Sequence, residues 1–183
     1  MAATRAKSVQ SPTPDVPPCS WLALNVDLLP RGGRALDVAS GTGRHALFLA
    51  ARGFSVRAVD RDEGKIEALR RAAARLELPI EAEVLDLEAD DVDLGLEGYD
   101  LILVVHYLHR RLFPALVGAL RLGGVLVYEM FTVDQAARGE PTNPSFLLKH
   151  GELRRLVSPL RILRQREGEF EGRMVSGVVA AKA

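Results

Sequence analysis

Three aspartates and a pair of glycines carry the most readable chemistry in this 183-residue sequence. In LDVASGTGRHALFLAARGFSVRAVD, residues 36–60, a short apolar run leads into Gly41 and Gly43, a helical pattern follows, and a second apolar run ends on Asp60. Glycine permits a left-handed backbone and lets a ligand approach the chain closely. The free amides at the start of the following helix can donate to oxygen or carboxylate acceptors. Asp60 stands where a carboxylate accepts two ribose hydroxyls of an adenosine-containing cofactor. Gly41, Gly43 and Ala46 also satisfy the G-x-G-x-x-G/A dinucleotide pattern, so the glycines alone leave two cofactor classes open. Asp37, four residues before Gly41, separates them: a fixed carboxylate there repels a pyrophosphate and suits a cationic amino group. With Asp86 at the end of the third apolar run, in EVLDLEADD, successive strand ends carry Asp37, Asp60 and Asp86.

A second group of reactive types lies in HYLHRR, after the fourth apolar run. His106 and Tyr107 fall on the edge where donor and acceptor would meet, as a proton acceptor or an aromatic wall; a packed ring at a helix start is the alternative. His106 and His109 would face one way on an early-starting helix, but no third ligand accompanies them and no metal is expected. Arg44 and His45 open the helix after the glycine turn, where positive charge is disfavoured. Arg44 is a candidate contact for a ligand carboxylate, a solvent-facing side chain being the alternative, and Arg110 and Arg111 are expected to face solvent. Asn143 before Pro144 reads as turn chemistry. The acidic run DLEADDVDL lacks the glycine and glutamate positions of a calcium loop and reads as a solvated face.

The elements that must position these residues alternate. Strand candidates at 35–39, 55–59, 80–85, 101–105 and 125–130 are separated by amphipathic or polar stretches, the pattern of parallel strands joined by helices. Four of the five are rich in Val, Ile and Leu without strict alternation, as expected when helices cover both sheet faces. Between the second and third, Ile66, Leu69, Ala73 and Leu76 make one helical stripe, with Asp62 as its cap. Residues 21–29 give a short leading helix, in which Trp21 is an anchor or, less simply, a cover for a bound ligand. Residues 160–167 and 174–181 flank a polar turn, GEFEG, and predict an antiparallel hairpin. Residues 1–18, with four prolines and few large apolar side chains, read as a flexible tail, leaving 19–183 as one domain.

Composition narrows the partners. Apolar residues make up 48%, charged residues 26%, and the formal net charge is zero, which gives no reason to expect nucleic acid. A single cysteine, Cys19, and the absence of a signal-like start fit a reducing cytoplasm. No apolar run approaches the roughly 20 residues of a membrane-spanning helix. Oligomeric state is not encoded legibly.

The glycine segment resembles motif I of class I S-adenosylmethionine-dependent methyltransferases, with Asp37, Gly41 and Gly43 in the D-x-G-x-G-x-G positions and Ala39 in place of the first glycine. The resemblance runs on through Asp60, Asp86, the GYDLILVV and L-R-L-G-G-V-L strands and the terminal hairpin. It implies a single doubly wound Rossmann-like α/β domain with a mostly parallel seven-stranded sheet and a C-terminal antiparallel hairpin. It implies S-adenosylmethionine as cofactor, with Asp60 on the ribose hydroxyls and Asp86 with the Leu87 backbone on the adenine amino group. Its cofactor-binding set comprises Asp37, Ala39, Gly41, Gly43, Arg44, Asp60, Arg61, Asp86, Leu87 and Val104. SGTGRHALFLAARG, HYLHRRLFPAL and NPSFLLKHGELRRL are similar to the tellurite-resistance-type and thiopurine-type small methyltransferases, a resemblance that puts the stretch after the fifth strand where a substrate lid would sit and makes Glu129, Phe131 and Asn143 lid or acceptor-site candidates. The implied reaction is an in-line methyl transfer to a small-molecule acceptor, a soft S, Se or Te atom or an O or N nucleophile, with His106 as base for the latter. A nicotinamide-dependent oxidoreductase and a noncatalytic nucleoside-cofactor-binding module are the rival readings.

Overall fold

The computed structural model describes residues 17–90 and 92–183, so the expected tail lies outside the described residues except for Pro17 and Pro18. Seven strands form one sheet: β1 Gly33–Val38, β2 Phe54–Asp60, β3 Ile80–Val84, β4 Tyr99–Val105, β5 Leu120–Phe131, β6 Arg161–Phe170 and β7 Arg173–Ala181. Their order is β3-β2-β1-β4-β5-β7-β6. The first five are parallel, and β7 runs antiparallel between β5 and β6. The order reverses between β1 and β4, which opens a crevice at their carboxyl ends, where open α/β sheets bind ligands.

The lack of alternation in the central strands has the expected cause. Leu101 and Leu103 of β4 point to one face, where they pack with Leu22, Leu49, Ile66 and Leu69; Ile102 and Val104 point to the other, with Phe113, Leu116 and Leu153. The first face is covered by helices α1 Ser20–Leu24, α2 Arg44–Ala50 and α3 Glu63–Arg75, the second by α4 Phe113–Ala119 and α5 Glu152–Leu156. Asp62 caps α3 by accepting from the Lys65 N–H at 3.0 Å. Trp21 is buried against β7, where a Cβ on Gly177 would come within 2.9 Å of its ring, so it anchors α1.

Two local expectations change. The hairpin turn is only Glu171 and Gly172, both left-handed (φ 53° and 74°), because β6 runs through Gly168, Glu169 and Phe170. A two-residue turn of that hand matches the twist of paired strands. The leading helix ends at Leu24 and is followed by a 3-10 turn over Val26–Leu28. No described helix is long and apolar enough to cross a membrane.

Candidate active site

The glycine turn leaves β1 through three left-handed residues, Ala39 (φ 56°), Gly41 (φ 57°) and Gly43 (φ 83°). At Gly43 a Cβ would collide with the Leu69 side chain of α3, so glycine there serves close packing as well as backbone hand. Ala39 adopts the same hand with a Cβ, at a cost of about 1–2 kcal/mol. Asp60 secures the turn: its Oδ2 accepts from the Gly41 N–H at 2.8 Å and its Oδ1 from the Asp62 N–H at 3.0 Å. Each carboxylate oxygen keeps acceptor capacity for a ligand hydroxyl.

Beneath the turn Asp37 is 1% exposed and its Oδ2 has no hydrogen-bond partner. The Ser40 hydroxyl is orphaned in the same way. Burial, reinforced by the nearby Asp60 carboxylate, pushes the Asp37 carboxyl up to about 7. An unpartnered buried acceptor is costly, and a cationic ligand group is the partner its chemistry asks for.

A cavity of about 420 Å³ opens above these strand ends. Asp60, Arg61 and Asp86 form its polar side and Leu87, Met130 and Phe131 an apolar wall. Ala39, His106 and Tyr107 also line it, and Pro141 and Phe146 stand at the loop side. Asp86 holds its own turn by accepting from the Glu88 N–H at 3.0 Å. The Tyr107 hydroxyl is buried without a partner, and burial raises it to about 12. A nucleoside bearing an amino group fits this lining, with the Asp60 and Asp86 carboxylates, the orphaned Tyr107 hydroxyl and the apolar Leu87, Met130 and Phe131; Asp37 and Ser40 are buried beside the turn, outside the lining.

A second cavity, of about 430 Å³, is lined by Arg44, Arg166 and Arg173 together with Glu129, Cys19 and His106. His106 is thus common to both cavities. It sits just past β4 in a left-handed conformation (φ 58°), its N–H donating to the Glu129 carbonyl at 2.8 Å and its ring stacked on Phe131 at 4.4 Å. For a residue other than glycine that backbone state is strained, and such strain gathers at functional sites. Burial, then Arg173 and Arg44, push the imidazole down to about 4, so it is neutral at neutral pH.

The structure therefore brings Ala39, Asp60, Arg61, Asp86, Leu87, His106 and Tyr107 to one cavity, with Asp37 below and Gly41 in the turn. Arg44 lines the neighbouring cavity, and Val104 is wholly buried in the core. The start of α2 gains a reason for its basic residues. His45 is kept neutral, its pKa lowered to about 3 by burial and Arg44, and its Nε2 accepts from the Cys19 N–H at 3.2 Å and Arg44 Nε at 3.1 Å. It ties the incoming chain to the glycine turn.

Several expectations need correction. No helix starts at His106, because its backbone is left-handed (φ 58°) and the first turn begins at Arg110; among the described residues no group of three or more His, Cys, Asp or Glu could hold a metal. Arg110 does not simply face solvent: it pairs with Glu152 at 2.7 Å and donates to the carbonyls of Ser145 and Leu147. Of the two readings of Glu129 the lid is ruled out: it is buried within β5, paired with Arg166, and lines the second cavity. Asn143 needs no correction, since it accepts from the Ser145 N–H as the expected turn chemistry. Arg166 and Arg173 went unread because arginines on a terminal hairpin look like solvated strand charges until the hairpin folds against β5.

Comparison with known proteins places this geometry in a family. The family model for the tellurite resistance protein TehB matches residues 24–171. Among curated proteins, hemagglutinin 1 of Eikenella corrodens is 31% identical over 73% of this chain and 46% of its own length. The tRNA (uracil(54)-C(5))-methyltransferase of Pyrococcus abyssi is 34% identical over 64% of this chain and 28% of its own length. The chain thus spans less than half the length of these relatives. The crystal structure of TehB from Haemophilus influenzae superposes with a TM-score of 0.70 at 22% identity, covering 89% of this chain and 61% of that one, so the two share the fold. With the model match extending over four fifths of the sequence, the chain belongs to the TehB family.

Proposed function

We propose that this chain transfers a methyl group from S-adenosylmethionine to a small-molecule acceptor bound in the arginine-lined cavity. The observation that carries the reading is the position of His106, which lines both the carboxylate-bearing cavity and the arginine-bearing one. Asp37 would hold the amino group of the cofactor, Asp60 its ribose hydroxyls, and Asp86 with Leu87 its adenine. Arg44 would reach the carboxylate from the neighbouring cavity, Ala39, Gly41 and Gly43 would give the backbone approach, Arg61 would flank the ribose, and Val104, buried in the core, would act only from behind the lining.

The bound cofactor supplies a methyl group on a cationic sulfur, already activated for displacement by an acceptor lone pair. What remains for the chain is to hold the acceptor in line and keep water out, which is mostly a matter of orientation. With Arg44 assigned to the cofactor carboxylate, Arg166 and Arg173 balance Glu129 and Glu171, so the second cavity offers guanidinium donors to a polar acceptor without a net charge. The unpaired Cys19 fits a cytoplasmic protein. Asp37 argues against a dinucleotide, and a formal net charge of zero argues against RNA as the acceptor, although one relative is by name a tRNA methyltransferase.

The test is transfer of label from methyl-labelled S-adenosylmethionine to a panel of small thiols, selenols, phenols, amines and oxyanions, with tRNA and ribosomal RNA in parallel. S-adenosylhomocysteine formation that depends on a small acceptor is expected. Label in RNA alone would overturn the small-molecule reading.

A further inference from the structure

Glu129 is a buried carboxylate beside the ring at the junction of the two cavities. It is 3% exposed on β5, and both Nε and Nη2 of Arg166, from β6, donate to its Oε2. Its other oxygen, Oε1, lies 3.9 Å from His106 Nε2. The same residue accepts the His106 backbone N–H through its carbonyl, and Phe131, two positions along β5, stacks on the imidazole. One short stretch of β5 therefore sets the position of His106 by backbone, ring face and charge together.

The other charged or titratable groups around His106 are Arg44 and His45 from α2, Arg166 from β6, Arg173 from β7, Glu171 from the hairpin turn and Cys19 from the incoming chain. Arg173 and Arg44 disfavour a positive imidazole, and Glu129 Oε1 is the carboxylate oxygen that faces Nε2, at 3.9 Å. Burial pushes the Glu129 carboxyl above its ordinary value while Arg166 pulls it back. Pairing through two guanidinium donors is the arrangement that keeps a buried carboxylate ionised. A neutral histidine must place its one proton on one nitrogen, and the hydrogen-bonding or charged neighbour of that nitrogen decides which.

We propose that Glu129 is the positioning residue of His106: held ionised by Arg166, it keeps the imidazole in the Nε2-protonated tautomer and opposes the positive charge the ring gains when Nδ1 accepts the acceptor's proton. The proton-accepting part rests on the methyl-transfer reading above; the tautomer and the charge pairing are properties of the unliganded chain. The step assigned to the ring is a proton transfer. The bond between the acceptor atom and its hydrogen breaks, its electron pair stays on the acceptor atom, and the proton bonds to the Nδ1 lone pair. Nothing is oxidised or reduced.

The test is ¹⁵N NMR of histidine-labelled, unliganded protein at pH 7.5, in wild type and Glu129→Gln, with the His106 signals assigned from His106→Asn. The expected wild-type pattern is Nε2 protonated and Nδ1 bare. In folded Glu129→Gln the Nδ1-protonated form gains about tenfold relative to the other, as when an opposite charge is removed from a few ångströms away. A purely structural role for Glu129 would leave the tautomer ratio of a folded variant unchanged. An Nδ1-protonated wild type overturns the proposal, as does a folded Glu129→Gln whose tautomer ratio equals that of wild type. Should Glu129→Gln fail to fold, the wild-type tautomer alone decides. Calorimetry with S-adenosylhomocysteine on the same sample keeps the two readings apart: absent binding sinks the methyl-transfer reading and leaves the ring result standing.

Discussion

Asp37 is buried at a cost that a cationic ligand would relieve. Its carboxyl is buried with one oxygen unpaired and is raised to about 7 by that burial and by Asp60. Between its ordinary value of 3.8 and about 7, the folded chain holds a proton that the unfolded chain has released. Stability from this group therefore falls as pH rises through that window, and levels off once both states are ionised. A cationic ligand reverses the preference, since it binds the ionised form. The affinity of S-adenosylhomocysteine should accordingly rise by up to roughly tenfold per pH unit as pH climbs toward 7, then flatten, with proton release on binding near pH 6.5. Calorimetry in buffers of different ionisation heat reads both quantities, and Asp37→Asn should weaken binding at least about tenfold and remove the pH slope. A wild-type affinity independent of pH from 6 to 8 would contradict the assignment. Asp37, Asp60 and Asp86 were legible because each follows directly from a strand pattern. His45, Arg166 and Arg173 were not, because their partners lie on other elements.

The elements around the cavities are held by a few long side chains. Arg110 carries much of this at the loop side: it pairs with Glu152 at the start of α5 and donates to the carbonyls of Ser145 and Leu147. That fastens the segment bearing Phe146, which lines the first cavity. Arg110→Met removes these bonds and should lower stability by about 1 kcal/mol, the pair being partly solvated. Tryptic cleavage at Arg138 should speed up, and S-adenosylhomocysteine should dissociate faster. Unchanged proteolysis and dissociation would show that the segment is held by other contacts. The sequence pattern located every central strand within a few residues but missed this fastening, since the sequence pattern itself does not show that an arginine after β4 reaches carbonyls 35 and 37 positions later. The misplaced helix start at His106 has another cause: the left-handed backbone of His106 (φ 58°), held as its N–H bonds the Glu129 carbonyl of β5, cannot begin a right-handed helix.

At the scale of the whole molecule, the parallel strands joined by helices followed from alternating apolar and amphipathic stretches, because a parallel sheet buried on both faces leaves that mark on the sequence. The two apolar clusters, one per face, fix β1 and β4 side by side, and the reversal between them opens the crevice that receives the strand-end carboxylates. The second cavity was not legible, since it needs α2, β5 and the terminal hairpin to converge, and no local pattern announces that convergence. The central claim is the nature of the ligand in the crevice, and calorimetric titration with S-adenosylhomocysteine and, separately, NADH tests it most directly, in wild type and in Asp60→Ala. The account predicts saturable single-site binding of S-adenosylhomocysteine, at least about tenfold weaker in Asp60→Ala, whose loss also frees the Gly41 amide. Preferential binding of NADH, or an affinity for S-adenosylhomocysteine unaffected by Asp60→Ala, would contradict it.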